Sequence, residues 1–255
     1  MHTFLRNLFM DKTGGEIFTV FSLWHLFYIG LTILVISVIL LVMRNHADNA
    51  RKHTTRTLIG IAFAVYIADF FLMPLAYGEI DIEKLPFHIC TAMCTMCFLS
   101  EHVGFLGKYR TSFVLLGFLS NLVYLIYPAG VMWHGVHPLS YRVIQTLIFH
   151  SVMTAYGFLT LVFESEKFEL KFWRNDLAVL VGLTLWAILG NGVYNGTSEG
   201  YDHFFNWFFV VRDPFYLLPE TVAPFIMPFL NVALFFVVER ILLWIIQGVK
   251  HKNVQ

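Results

Sequence analysis

Apolar residues come in seven stretches of about 20, near residues 22–43, 56–77, 86–107, 111–128, 142–163, 176–195 and 221–247, separated by polar punctuation. A helix needs that many mainly apolar residues to cross the hydrocarbon of a bilayer, so each stretch predicts a transmembrane helix. The runs are continuously apolar and roughly twice the length of a barrel strand, which excludes a β-barrel with its alternating segments. The first run follows a polar lead containing Gly14-Gly15 and continues for about 22 residues, too long and too late for a cleavable signal peptide. The expected fold is all-α, a polytopic helical bundle of about seven spans that makes one membrane domain of residues 1–255.

Composition agrees with that pattern. Of 255 residues, 58% are hydrophobic, 17% aromatic and 13% charged, with a mean hydropathy of +0.68, whereas soluble domains carry about a quarter charged residues. A soluble domain is thereby excluded. The balance of 17 basic against 17 acidic residues leaves no cationic excess to hold a nucleic-acid backbone. Sorted by loop, Arg44, Arg51, Lys52, Arg56, Lys108, Arg110, Lys167, Lys171, Arg174, Arg240, Lys250 and Lys252 fall on one side, and only Arg6, Lys12, Lys84, Arg142 and Arg212 on the other. The positive-inside rule places the richer set in the cytoplasm, hence the amino terminus outside and the carboxyl terminus inside. Asp202, Arg212, Asp213 and Pro214 make a full crossing by Tyr201–Pro219 costly, so that segment is expected at the outer interface.

Charge inside a span costs about 2.5–3.5 kcal/mol and requires a partner or a wet cavity. Asp69, Glu101, His102, His150, Glu239 and Arg240 are in that position, with Asn121, Gln145, Asn191 and Asn231 as uncharged companions. At 100° per residue Cys90, Cys94, Cys97 and Glu101 form one stripe of the third span, which Glu101 turns toward the protein interior. Pro86 is expected to open that span, and His88 then lies roughly 200° from Cys90, able to serve the thiol only if the first turn is irregular. Thr146, His150, Thr154 and Gly157 make a comparable stripe on the fifth span. Counted at 1.5 Å per residue, Cys90 lies roughly 6 Å, Asp69 about 10 Å and His150 roughly 12 Å below the outer surface.

A thiol, an imidazole and a carboxylate at similar depth suit acyl transfer. Cys90 attacks an ester carbonyl, His150 takes and returns the proton, and Asp69 or Gln145 orients the ring. The depth is that of a phospholipid ester bond, and the products of the first step are a thioester and a released alcohol. Asn121, Asn191 and the backbone at the start of the third span are candidate oxyanion donors. Such chemistry requires no metal or redox cofactor. Zinc binding by His88, Cys90, Cys94 and Cys97 fails because one helix cannot wrap four ligands around an ion. The plainer reading of Cys94 and Cys97 is packing, and it competes for Cys90 as well. His134 and His137 read as loop residues, Glu101 with Glu239, Arg240 or His102 as an ion cluster locking helices, and Asn195-Gly196-Thr197 as a glycosylation acceptor in a secretory setting. A different class of function is a proton-coupled transporter or channel with Asp69, Glu101 and His150 along the path; a third is a passive scaffold in which Cys90 is replaceable.

The run Leu85-Pro86-Phe87-His88-Ile89-Cys90, followed about 60 residues later by Phe149-His150, resembles the YwaF-type bacterial integral membrane family and its eukaryotic relative, transmembrane protein 164. Gly190-Asn191-Gly192 through Asn206-Trp207-Phe208-Phe209 and Arg212-Asp213-Pro214 is similar to that family's asparagine and aromatic tract before the last span. The resemblance covers nearly the whole chain. It implies a multi-span acyltransferase of the bacterial cell membrane that acts on phospholipid or another fatty-acyl ester, with Cys90 as acyl acceptor, His150 as the intramembrane histidine and Asn206 in a supporting role. The tract departs from the family pattern where Trp207 follows Asn206 and Asp213 stands before Pro214. A looser, fold-level similarity links these proteins to androgen-induced membrane hydrolases of fatty-acid esters, which use Thr and His.

Overall fold

The computed structural model describes residues 15–78, 82–132, 135–197, 205–214 and 216–253. Its principal helices are α1 (Leu23–Met43), α2 (Asp48–Tyr77), α3 (Ile89–Ser100), α4 (Arg110–Ile126), α5 (Tyr141–Phe163), α6 (Trp173–Thr197) and α7 (Ala223–Asn253). Among the described residues there is no strand. Among the described residues, five segments are long and apolar enough to cross a membrane: Leu23–Met43, Asp48–Leu75, Tyr141–Phe163, Leu170–Asn195 and Ala223–Gly248. α3 and α4 are apolar but shorter, at 12 and 17 residues. The chain is an integral, multi-pass membrane protein.

α3 is shorter than the apolar run 86–107 because both ends of that run are used for something else. Pro86 does not open the helix; it lies three residues before Ile89 in a tight turn, with the Phe87 amide donating to the Leu85 carbonyl at 2.7 Å, that ends at the extended N-cap His88 (φ −72°, ψ 143°). At the other end Glu101 caps the helix and turns its carboxylate to Arg110. An acid at a helix C-terminus opposes the macrodipole, and the cation offsets it. α2 begins at Asp48, before the apolar run, with Asp48 in its first turn paired to Arg51 at 3.3 Å. A polar first turn is invisible to hydropathy alone.

The chain divides into two compact units. The first is Met1–Lys84 with Gly117–Phe163. α1 is apolar on every side, yet its buried residues are His25 and Thr32. The His25 ring accepts from the Phe21 amide at Nδ1 (2.9 Å), so Nε2 donates to the Leu125 carbonyl at 2.7 Å. Thr32 and Ser151 share a hydroxyl bond of 2.7 Å. In lipid the apolar side is the cheap side, and the few polar atoms find partners in protein, each contact contributing about 0.6 kcal/mol. α5 is the most enclosed helix of this unit. Gly157 lets it approach Phe118, whose Cβ stands 2.6 Å from where a Cβ on residue 157 would be. Val143 and Leu147 pack with Phe18, Leu125, Val131 and Val136 in a buried core.

The second unit is Leu85–Leu116 with Glu164–Gln255. Two buried ionic centres hold it. The Arg110 guanidinium forks onto Glu164 at 2.8 and 3.0 Å and also binds Glu101, while Lys167 adds a second cation to Glu164 at 2.7 Å. Asp176, at the start of α6, accepts from Ser112 of α4 and from Arg240 of α7. Between α6 and α7 the tract around the short 3-10 turn Trp207–Phe209 is irregular, with left-handed φ at Phe208 (56°) and Phe209 (50°). Such backbone is tolerable at membrane depth only where protein satisfies its polar groups.

Candidate functional site

Cys90 is the second residue of α3 and is 9% exposed; Cys94 and Cys97, a turn and two turns on, have no exposure. The three thiols do lie on the enclosed side of the helix. His88 precedes the helix, so the helical-wheel angle does not apply to it; its side chain is exposed, with its ring 6.5 Å from that of Trp207. The amides of the first turn have no intrahelical acceptor, and the first helical bond at this end runs from Ala92 to the His88 carbonyl at 2.9 Å. Cys90 thus stands at the positive end of a helix dipole, where developing negative charge is favoured.

The approach to Cys90 is held by α6 and the irregular tract. The Trp186 indole donates to the Pro86 carbonyl at 2.7 Å. The Phe87 ring stacks on Trp186 at 4.9 Å between centroids and lies 4.8 Å from Trp207. Thr91 returns its hydroxyl to the His88 carbonyl at 3.1 Å.

His150 is buried in α5 of the first unit. Its Nδ1 is 2.6 Å from Oδ1 of Asn121, and the Asn121 amide nitrogen donates to the Gly117 carbonyl at 2.7 Å. That second bond fixes which way the amide points. Oδ1 faces the imidazole and can only accept, so Nδ1 carries the proton and the lone pair of the neutral ring is on Nε2. Tyr124, one turn beyond Asn121 on α4, stacks flat on the imidazole at 3.7 Å and 14°. This arrangement commits Nδ1 to Asn121 and fixes the tautomer of the neutral ring.

The remaining predicted residues have definite places. Asp69, expected to orient the ring, instead accepts from Tyr141 at 2.7 Å and pairs with Lys84 at 3.0 Å, and Gln145 accepts from Thr146 at 3.2 Å. The orienting partner is Asn121, which sequence placed among the oxyanion donors. Its spacing from Tyr124 was the available signal, since residues three apart share a helix face.

Asn191 is also committed: it accepts from the Trp207 amide and donates to the Trp207 carbonyl, both at 3.0 Å, and donates to the Ala187 carbonyl at 2.8 Å. Asn206 accepts from the amides of Val211 and Arg212 and donates to the Arg212 carbonyl at 2.7 Å. Asn195 clamps Phe205 in the same two-sided way, and Asn231 donates to the Phe208 carbonyl at 2.7 Å. These asparagines satisfy the irregular tract.

The ionic cluster differs from the sequence expectation in its members. Arg110 is the cation for Glu101 and Asp176 the acid for Arg240, while the His102 ring lies tilted against Phe98 at 4.9 Å and Glu239 has its Oε2 buried without a hydrogen-bond partner among the described residues. Burial raises the Glu164 carboxyl, but Lys167 and Arg110 more than reverse this, leaving it below its ordinary value. His137 accepts from the Leu139 amide at 3.1 Å. His134, residues 201–204 of the interfacial segment, and the side chains of Gly196 and Thr197 lie outside the described residues.

Residues 20–246 match the model of the TMEM164 family, and the chain belongs to that family. No curated protein and no solved structure matches it.

Proposed function

We propose that this member of the TMEM164 family is a lipid acyltransferase or acyl hydrolase working through a Cys90–His150 dyad and a thioester. His150 takes the thiol proton at Nε2 as the Cys90 sulfur attacks the ester carbonyl. The tetrahedral oxyanion collapses, the ester C–O bond breaks, and the departing alkoxide takes the proton from the imidazolium. An acceptor hydroxyl or water then attacks the thioester, gives its proton to His150, and leaves the acyl group on oxygen and the thiol restored. The observation that carries this reading is the Asn121–His150 bond, which commits Nδ1 and leaves Nε2 as the basic nitrogen. The position of Cys90 in the first turn of α3 supports it, because the positive end of the helix dipole favours a developing negative charge there.

The topology belongs to the same proposal. All seven principal helices cross as one membrane domain, α3 and α4 completing their passage through the segments that flank them, with the amino terminus outside and the carboxyl terminus in the cytoplasm. The host membrane is the bacterial cell membrane. A transport path is less well supported, since Asp69 and Glu101 are each already neutralised by a cation, Lys84 and Arg110.

The test uses the purified full chain in vesicles containing a phospholipid with a clickable acyl chain. Hydroxylamine-sensitive label on Cys90 is expected in the wild type, none in Cys90→Ser, and a fall of about 10²–10⁴ in labelling rate in His150→Ala. Wild-type protein that stays unlabelled across the common headgroup and chain classes would overturn the proposal.

A further inference from the structure

Gly190 lies in the interior of α6, where glycine is a poor helix residue and alanine the best. Its backbone asks for no special conformation. The reason for a glycine is space: three atoms of the Phe87 ring occupy the place of a Cβ, with Phe87 Cε1 at 2.7 Å. Gly190 is buried, and the next residue, Asn191, grips both the amide and the carbonyl of Trp207. Trp207 is 1% exposed and stacks on Phe205 at 4.6 Å, and its ring borders Phe87, His88 and Tyr194. One turn earlier on α6, Trp186 stacks on Phe87 and holds the Pro86 carbonyl. The tract thus grips a single ring, three residues before Cys90.

We infer that Gly190 is a positioning residue for Cys90: the seat it leaves for Phe87, walled by Trp186 and Trp207, sets where α3 begins and therefore where the thiol stands. The coupling runs through His88 and Ile89 alone, two residues of chain with no slack, one of them the helix cap. A Cβ at 190 pushes the Phe87 ring outward, and the start of α3 moves with it. The role rests on Cys90 being the nucleophile, but the geometry does not.

The experiment is a compensation cycle of Gly190→Ala, Phe87→Leu and the double variant, on full chain in vesicles, reading two quantities. The first is the N-ethylmaleimide alkylation rate of Cys90 by mass spectrometry, with Cys94 and Cys97 as internal references. The second is the single-turnover rate of acyl labelling against lipid concentration. Each single variant is expected to shift the relative alkylation rate of Cys90 by about threefold or more, and to lower the acyl-labelling rate about tenfold with little change in the lipid concentration at half-saturation. The double variant, in which the smaller Leu makes room for the Cβ, should return both toward wild type. Unchanged alkylation in the folded single variants, or shifts that merely multiply in the double, overturns the inference. Should Gly190→Ala fail to fold, Phe87→Leu and Trp186→Phe carry the same test, because each loosens the approach without overpacking, and unaltered Cys90 alkylation in both overturns it. Compensation in alkylation without any acyl label on wild-type Cys90 would uphold the positioning role and defeat the acyl-transfer proposal.

Discussion

His150 owes its tautomer to two consecutive hydrogen bonds, Gly117 carbonyl to Asn121 amide and Asn121 carbonyl to imidazole. Replacing Asn121 by Leu keeps the volume and removes both. The ring then loses the partner that holds the proton on Nδ1, and the acyl-labelling rate is expected to fall about 10-fold to 100-fold, the scale of losing one orienting hydrogen bond. Imidazole ¹⁵N chemical shifts check the cause directly: the wild type should show a protonated Nδ1 and a lone-pair Nε2, and Asn121→Leu a mixture. A wild-type spectrum dominated by the Nε2-protonated form would remove the basis for His150 as base. Cys90 and His150 are conspicuous as candidates in the sequence because thiols and imidazoles in an apolar run stand out. Their partners are not, since the pairing of Asn121 with His150 and the diversion of Asp69 to Tyr141 and Lys84 are set by packing between helices far apart in the chain.

Among the elements, the apolar runs located every principal helix, and the departures occur where a polar residue, not hydropathy, decides the end. The end of α3 is such a case, fixed by Glu101 on Arg110, which in turn binds Glu164 just past α5. Glu164 is almost fully enclosed, and its carboxyl titrates below the ordinary value of 4.5 because Lys167 and Arg110 outweigh the effect of burial. A depressed folded value means that the ionised form is the stabilising one. Its contribution is complete above the ordinary value and is lost as pH falls below 4.5 and through the lowered folded value. Thermal unfolding in detergent micelles should therefore show stability dropping on acidification from pH 5, and Glu164→Gln should flatten that drop. At pH 7 the same variant should cost about 1–3 kcal/mol, since it leaves the Arg110 fork half-used while Glu101 still neutralises the cation. Equal pH dependence in both proteins would mean that other carboxyls govern the acid limb. The sequence offered Glu101 and Arg240 as ionic candidates but not their partners, because Arg110, Glu164 and Asp176 lie at helix ends, where a charged residue is ordinary.

At the scale of the whole molecule, Cys90 belongs to one compact unit and His150 to the other, and the residues of α4 are divided between the two. Family membership and the bilayer habit were both readable before any coordinates, since apolar length and the Leu85–Cys90 run are local signals. The joint action of Cys90 and His150 that the proposed mechanism requires would not be a local signal, and kinetics can address it. If sulfur and imidazole act on one bond, each is useless without the other. Cys90→Ser, His150→Ala and the double variant should then all fall to the same residual rate of ester cleavage, because removing the second member of a unit takes away nothing that still works. Independent roles predict something else: two losses of about 10³ would multiply to about 10⁶ in the double variant. Ester cleavage, followed as release of the lyso-lipid, suits this comparison better than acyl labelling, which the serine variant eliminates for trivial reasons. A double variant at least tenfold slower than either single would separate the two residues into different steps and leave His150 without its assigned proton.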